Sequence, residues 1–169
     1  MKTIQLHSKK YPGYEAIVDD EDYEELIKYE WHPQFGTHHN TNTIYATRSI
    51  KKQKILMHRI IIQIHNYNIE TKLIDHEDHN GLNNQKENLR ICSYSQNGQN
   101  QNNQNRSLTS IYKGVYFKKD RNKFRVCIKL NGKPIHVGYF IDEQEAALAY
   151  NKKATELFGE FCCLNIISV

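Results

Sequence analysis

The residues best able to do chemistry stand between Leu73 and Asn97. Asp75 and His76 are adjacent, Asn88 lies twelve residues beyond the histidine, and Asn97 lies nine beyond that. A hard divalent cation prefers oxygen ligands, which an aspartate carboxylate and an asparagine carbonyl supply. Two protein ligands leave positions open for water and phosphate oxygens. A neutral imidazole beside such a cation can take a proton from an attacking water near neutral pH. The cation would stabilise charge in the transition state and assist the departing oxygen. These residue types therefore suit metal-assisted hydrolysis of a phosphodiester. An Asp-His pair alone is weak ground, because most such pairs are surface or hydrogen-bonded structure. The spacing of all four residues carries the reading.

Those side chains converge only if the chain between them folds in a particular order. Leu73-Ile74 reads as a short strand delivering Asp75 and His76 at its end. Asn80-Gly81 signals a turn, and Leu89 to Cys92 reads as a second short strand. Ser93 with Gln96 is a capping-box pattern, which starts a helix and sets Asn97 about one turn inside it. The unit is strand–loop–strand–helix, with an acid and an imidazole on its first strand. Upstream, Ala16-Ile17-Val18 and Thr43 to Ala46 read as short strands and Asp20 to Lys28 as a short acidic helix. The Ile-rich run from Lys54 to His65 reads as a helix. Within it, His58-Arg59 reads equally as core packing with a surface arginine or as support at a scissile phosphate. Trp31, flanked by Tyr29 and Phe35, reads as core.

Composition narrows the classes. The chain has 169 residues, 38% of them apolar, and a mean hydropathy of −0.76. No apolar run approaches the ~18 residues that span a bilayer, and the first residues lack the apolar stretch of a signal peptide, so an intracellular location is expected. The four cysteines have no C-x-x-C spacing, which argues against a disulfide framework and a cysteine-based zinc site. The net charge of +4 is modest, but its distribution is not. Residues 1–30 are net −4, residues 31–60 hold five basic and no acidic groups, 112–137 is net +7, and 138–169 is net −3. Two basic stretches suggest local anionic contacts, with nucleic acid the first candidate.

The clearest boundary is amide-rich and without an apolar residue, from Gly98 to Ser107. It reads as a polar helix end or a tether. We divide the chain into 1–97, with its core motif at 73–97, a linker over 98–109, and a block over 110–169. In that last block Phe124, Val126, Ile128 and Leu130 alternate with Arg125, Cys127 and Lys129, which is strand periodicity. Asn131-Gly132 then signals a hairpin turn, Ile135, Val137 and Tyr139 continue as the partner strand, and Lys113 to Phe117 reads as an earlier strand. Asp142 with Glu145 is a capping box. Ala146, Tyr150, Ala154 and Leu157 recur at helical spacing, and Gly159 stands where a helix ends. The block reads as three antiparallel strands packed on one helix, with Lys118, Lys123, Arg125 and Lys129 on the opposite sheet face.

The motif Asp75-His76, Asn88-Leu89-Arg90 and Asn97, with Asn83-Asn84 and His58-Arg59 nearby, resembles the HNH nuclease motif. The form is that of phage-type homing endonucleases, in which the last letter is Asn. The resemblance implies a ββα-metal (His-Me finger) fold. It implies Asp75 and Asn97 as ligands of one divalent metal, Mg²⁺ with Mn²⁺ as a substitute, and His76 as general base. It implies Asn88 as an amide that ties the loop and orients His76, and Arg59 joins these as a catalytic candidate. One departure is His79, where relatives usually carry Gly or another small residue; it reads as a surface substitution. Residues 110–165 resemble the ethylene-response-factor (apetala-type) DNA-binding domain. The carrying residues are Tyr112-Lys113-Gly114-Val115, Gly138-Tyr139-Phe140, Glu145 to Tyr150, and Leu164-Asn165. That resemblance implies a sheet laid in the DNA major groove, with Lys113, Lys118, Arg125, Lys129 and His136 on the DNA side. Phe124 stands where the family's core Trp often sits and His136 replaces a DNA-facing Trp. Several family Arg positions are Lys, Tyr or Pro here, which weakens bidentate guanine readout more than phosphate affinity.

The resulting expectation is an α+β chain acting as a metal-dependent, homing-type DNA endonuclease. Double-stranded DNA is its partner, and it needs no membrane or small-molecule cofactor and works as a monomer. The alternative is a non-catalytic DNA-binding regulator with a degenerate nuclease unit. Retention of Asp75, His76, Asn88 and Asn97 together argues against decay.

Overall fold

The computed structural model describes residues 1–36, 43–67, 72–100 and 109–167. The chain divides into two compact units, Met1–Tyr94 and Ser95–Val169. Among the described residues it is a mixed α/β protein with several small antiparallel sheets and four α-helices. The amide-rich linker expected over 98–109 lies, from 101 to 108, outside the described residues. No helix among them is long and apolar enough to cross a membrane.

In the first unit, β1 (Lys2–Gln5) pairs with β2 (Glu15–Val18), and α1 (Asp20–Leu26) follows at once. A second sheet has the order β3 (His32–Phe35), β4 (Ile44–Ile50), β5 (Gln53–Leu56). Pro33 lies within β3. It is tolerated because β3 is an edge strand, where a missing N–H costs no ladder bond. Helix α2 (Met57–Ile64) leaves β5 without a connecting loop. Its Met57/Ile61 and His58/Ile62 pairs are buried at i, i+4 spacing, while Gln63 and Ile64 are exposed. This apolar stripe joins Ile4, Leu6, Ala16, Val18, Leu26, Trp31 and Ala46 in one core. Trp31 is fully buried and its indole N–H donates to the Leu26 carbonyl at 2.9 Å, which spares the core an unmet polar group.

The sequence reading made Lys54 to His65 one helix; its first residues are strand. Lys54, Ile55 and Leu56 pair with Ser49, Arg48 and Thr47, and Leu56 keeps an extended ψ of 138° before the helix starts. Isoleucine-rich composition fits either state, and the cross-strand partner decides between them.

Strands β6 (Leu73–His76) and β7 (Leu89–Cys92) form an antiparallel pair in which His76 opposes Leu89 and Asp75 opposes Arg90. The loop between them is anchored to β2. The Ile17 N–H donates to the Leu82 carbonyl and the Asn84 N–H to the Ile17 carbonyl, both at 2.8 Å. Gly81 makes this possible, since a Cβ there would lie 2.5 Å from the Ile44 carbonyl oxygen. Helix α3 (Tyr94–Asn100) begins at the boundary between the units.

In the second unit, β9 (Lys123–Leu130) is central between β8 (Val115–Lys118) and β10 (Lys133–Phe140). Helix α4 (Glu143–Phe158) buries Ala146, Ala147, Tyr150 and Ala154 against Val115, Val126 and Ile128. The Asp142 carboxylate caps it, accepting from the Glu145 N–H at 2.8 Å, and Gly159 ends it at φ 53°. Gly114 takes φ 75°, and a Cβ on it would strike the Tyr150 ring at 2.2 Å. Two asparagines fasten the C-terminal tail. Asn165 exchanges hydrogen bonds with the Lys113 backbone, and Asn151 exchanges them with the Asn165 backbone.

Candidate active site

Strand β6 ends by carrying Asp75 and His76 into a buried setting, 8% and 5% exposed. Directly across the hairpin, Arg90 Nη2 donates to Asp75 Oδ2 at 2.8 Å, and its Nη1 lies 3.7 Å from Glu77 Oε2. A buried carboxylate needs such a partner, because taking an unpaired charge out of water is costly. The pairing follows from register: once His76 opposes Leu89, Asp75 must face Arg90. The sequence places Arg90 within the motif but does not by itself assign it this role.

The His76 imidazole packs edge-on against His58, with ring centroids 5.0 Å apart, and Tyr45 completes a triangle at 5.8 Å from His76 and 5.9 Å from His58. Tyr45 comes from β4 and His58 from α2, so only tertiary structure unites them with β6. Burial lowers the His76 pKa. A hydrogen-bonding contact from the fully buried Asn84, and the charges of Asp78 and Asp75, act upward without overcoming it. The imidazole is therefore neutral near pH 7 and able to accept a proton. Burial, with His76 and Arg59 adding to it, pushes His58 down to about 3. Tyr45 is raised by burial and by the Asp75 charge.

Asn88, 6% exposed, binds the connecting loop from inside. Its amide nitrogen donates to Asp78 Oδ1 at 2.9 Å and to the Asn83 carbonyl at 2.8 Å, while its carbonyl accepts from the Asp78 N–H at 3.0 Å. Burial works upward on the Asp78 carboxyl, but bonds from Asn83, the Asn80 N–H and Asn88 hold it below the usual carboxylate range. Asn84, whose amide also donates to the Leu82 carbonyl at 3.1 Å, is the residue placed beside the imidazole. His79 takes φ 64°, and its N–H donates to the His76 carbonyl at 3.0 Å. A left-handed backbone is the physical reason a glycine suits that position.

Arg59 is half-buried on α2, next to His58. Asn97 lies half-buried on α3, among residues of the second unit. Among the described residues no three His, Cys, Asp or Glu side chains gather to hold a metal ion. Asp75 offers a carboxylate, the type of oxygen donor that a hard ion such as Mg²⁺ prefers.

The chain is similar to a protein of Acanthamoeba polyphaga mimivirus named as an uncharacterized HNH endonuclease, L560. The two are 37% identical over 119 residues, 68% of this chain and 59% of the relative. The chain thus spans under two thirds of that relative's length. No family model matches the chain, and no solved structure matches it.

The remaining candidates lie on the second unit. Register places Tyr116, Lys118, Lys123, Arg125, Lys129, His136 and Tyr139 on one face of the three-stranded sheet, away from α4. His136 and Tyr139 rings lie 4.8 Å apart, and the Arg121 guanidinium sits 4.7 Å from the Tyr139 ring centre. His136 and Lys129 are exposed, Lys118 and Arg125 half-buried. Lys113 differs from these: its ammonium donates to the Gln99 carbonyl at 2.8 Å, and burial lowers its pKa.

Proposed function

We propose that this protein is a DNA endonuclease of the HNH homing type, cutting phosphodiester bonds at Asp75 and His76. The observation that carries the reading is the end of β6. There a buried neutral imidazole stands next to a carboxylate, on a loop fixed from inside by Asn88. The similarity to a viral protein named as an HNH endonuclease supports it.

In this reading the unit around 73–97 acts as a ββα-metal nuclease. Asp75 and Asn97 would hold one divalent cation, Mg²⁺ or Mn²⁺ in its place, which supplies a Lewis acid for the phosphate oxygens when bound. His76 takes the proton of a water whose oxygen bonds to phosphorus as the bond to the 3′ oxygen breaks. The products carry 5′-phosphate and 3′-hydroxyl ends. Asn88 fixes the loop and so the imidazole, and Arg59 supports the phosphate. The sheet of 110–169 binds duplex DNA in the manner of an ethylene-response-factor domain, through Lys118, Arg125, Lys129 and His136, with Lys113 joining them only on release from the Gln99 carbonyl, and the enzyme works as a monomer.

A second reading, a DNA-binding regulator with an inactive nuclease unit, draws on one observation: Arg90 already engages Asp75. Incubation of supercoiled plasmid with the protein, with and without Mg²⁺, separates the two. Metal-dependent nicking supports the nuclease, and binding without cleavage across several divalent metals supports the regulator.

A further inference from the structure

Among the described residues, two hairpins are closed by two-residue turns. Leu130 pairs with Lys133 across Asn131-Gly132, and Ile50 pairs with Gln53 across Lys51-Lys52. Both turns put positive φ at both central residues: 50° and 78° at Asn131-Gly132, 47° and 68° at Lys51-Lys52. This is the type I′ pattern, which strongly favours Asn-Gly because other side chains crowd the backbone in the left-handed region. The first of these turns uses the favoured residues. The second holds two lysines in the same conformation, against their own preference. Of the other non-glycine positions with positive φ, Asn66, Asn122 and Asn131 are asparagine and the last is His79.

Strain of this kind persists where the surroundings impose it and where the side chains serve a ligand. The surroundings are visible at the hairpin base. Arg48 stacks on Tyr29, 3.5 Å from the ring centre, and reaches to 5.7 Å from Trp31 in the core. At the other end Lys51, Lys52 and Lys54 are all exposed, and none has an acidic partner among the described residues, unlike Lys2, Lys28, Lys86 and Lys153. No Asp or Glu occurs in the sequence from Trp31 to Ile69. The hairpin therefore presents three exposed ammonium groups that have no acidic partner among the described residues.

We propose that the β4–β5 hairpin is a second nucleic-acid contact, with Lys51, Lys52 and Lys54 seated on the phosphate backbone of duplex DNA. Flexible ammonium groups at a tip suit phosphates as point charges and carry no base readout. The proposal rests on the reading that the chain acts on DNA, and it adds a contact on the first unit that holds whichever sequence is bound.

The test is equilibrium binding of the full chain to a 30-base-pair duplex of arbitrary sequence, followed by fluorescence anisotropy across a salt series without divalent ions. The informative variant is Lys51→Asn with Lys52→Gly, which relieves the turn and leaves the fold at least as stable. Losing two phosphate contacts should lower the log–log salt slope by about 2 and weaken binding roughly 60-fold near 0.1 M salt, while thermal unfolding does not drop. Lys51→Arg with Lys52→Arg should keep the wild-type slope. An Asn-Gly variant that keeps both slope and affinity, while wild type binds, overturns the hairpin contact and leaves the nuclease reading standing. Wild type that fails to bind the duplex at any salt overturns both. A hairpin variant that loses binding to phosphatidylserine vesicles but not to the duplex overturns the choice of DNA.

Discussion

Replacing Asn88 by alanine removes three hydrogen bonds from one side chain: two donated, to the Asp78 carboxylate and the Asn83 carbonyl, and one accepted from the Asp78 N–H. The two neutral bonds are worth about 1 kcal/mol each. The bond to Asp78 would be worth more if buried, but that carboxylate is exposed, so solvent screening reduces it to about 1 kcal/mol. The sum, about 3 kcal/mol, should lower the unfolding temperature of a unit this size by roughly 12–24 °C. Calorimetry on the full chain checks it. Asn88→Asp sharpens the test, because it keeps an acceptor but sets a second carboxylate against Asp78. That variant should be at least as unstable as the alanine at pH 7 and recover part of the loss on acidification. Loss of less than about 3 °C in Asn88→Ala would refute the idea that this amide holds the loop.

Two further perturbations follow from the same site. His58 is 6% exposed and titrates at about 3 in the folded chain against 6.5 ordinarily. Above pH 6.5 both states are neutral and its contribution to stability is complete. Below it only the unfolded chain gains the proton, so stability falls by about 1.4 kcal/mol per pH unit until pH nears 3. Unfolding free energies from urea titrations of wild type and His58→Phe between pH 6 and 4 should diverge in slope by that amount, and parallel slopes would contradict a buried neutral His58. Arg90→Ala should cost about 3 kcal/mol, because it strands the Asp75 carboxylate in a buried site. A double variant with Asp75→Asn should regain much of that loss, and additive losses would contradict the pairing.

Local signals were legible where one short stretch holds all the information. The Asn131-Gly132 turn, the Asp142 cap and the Gly159 stop follow from backbone chemistry that needs no distant partner. The order strand, loop, strand around Asp75 was legible for the same reason. The switch from β5 to α2 at Leu56 was not, because Ile-rich composition allows both states and pairing with β4 chooses. The Lys51-Lys52 turn was invisible because its residues contradict its conformation. Around the candidate site, the placement of Asp75 and His76 at the end of a strand was readable from the sequence, and the Arg90 pairing could have been reached by counting register. Tyr45 and His58 reach His76 through tertiary packing, which leaves no periodic trace. The same is true of the burial that keeps the imidazole neutral.

The most direct test of the account is the cleavage rate of supercoiled plasmid in Mg²⁺ by wild type and by His76→Ala, with folding of both checked by calorimetry. The account expects nicked or linear product from wild type, none with EDTA, and a rate at least ~100-fold lower without the imidazole. Intact plasmid across Mg²⁺, Mn²⁺ and several DNA sources, or a His76→Ala protein that cuts as fast as wild type, would contradict it.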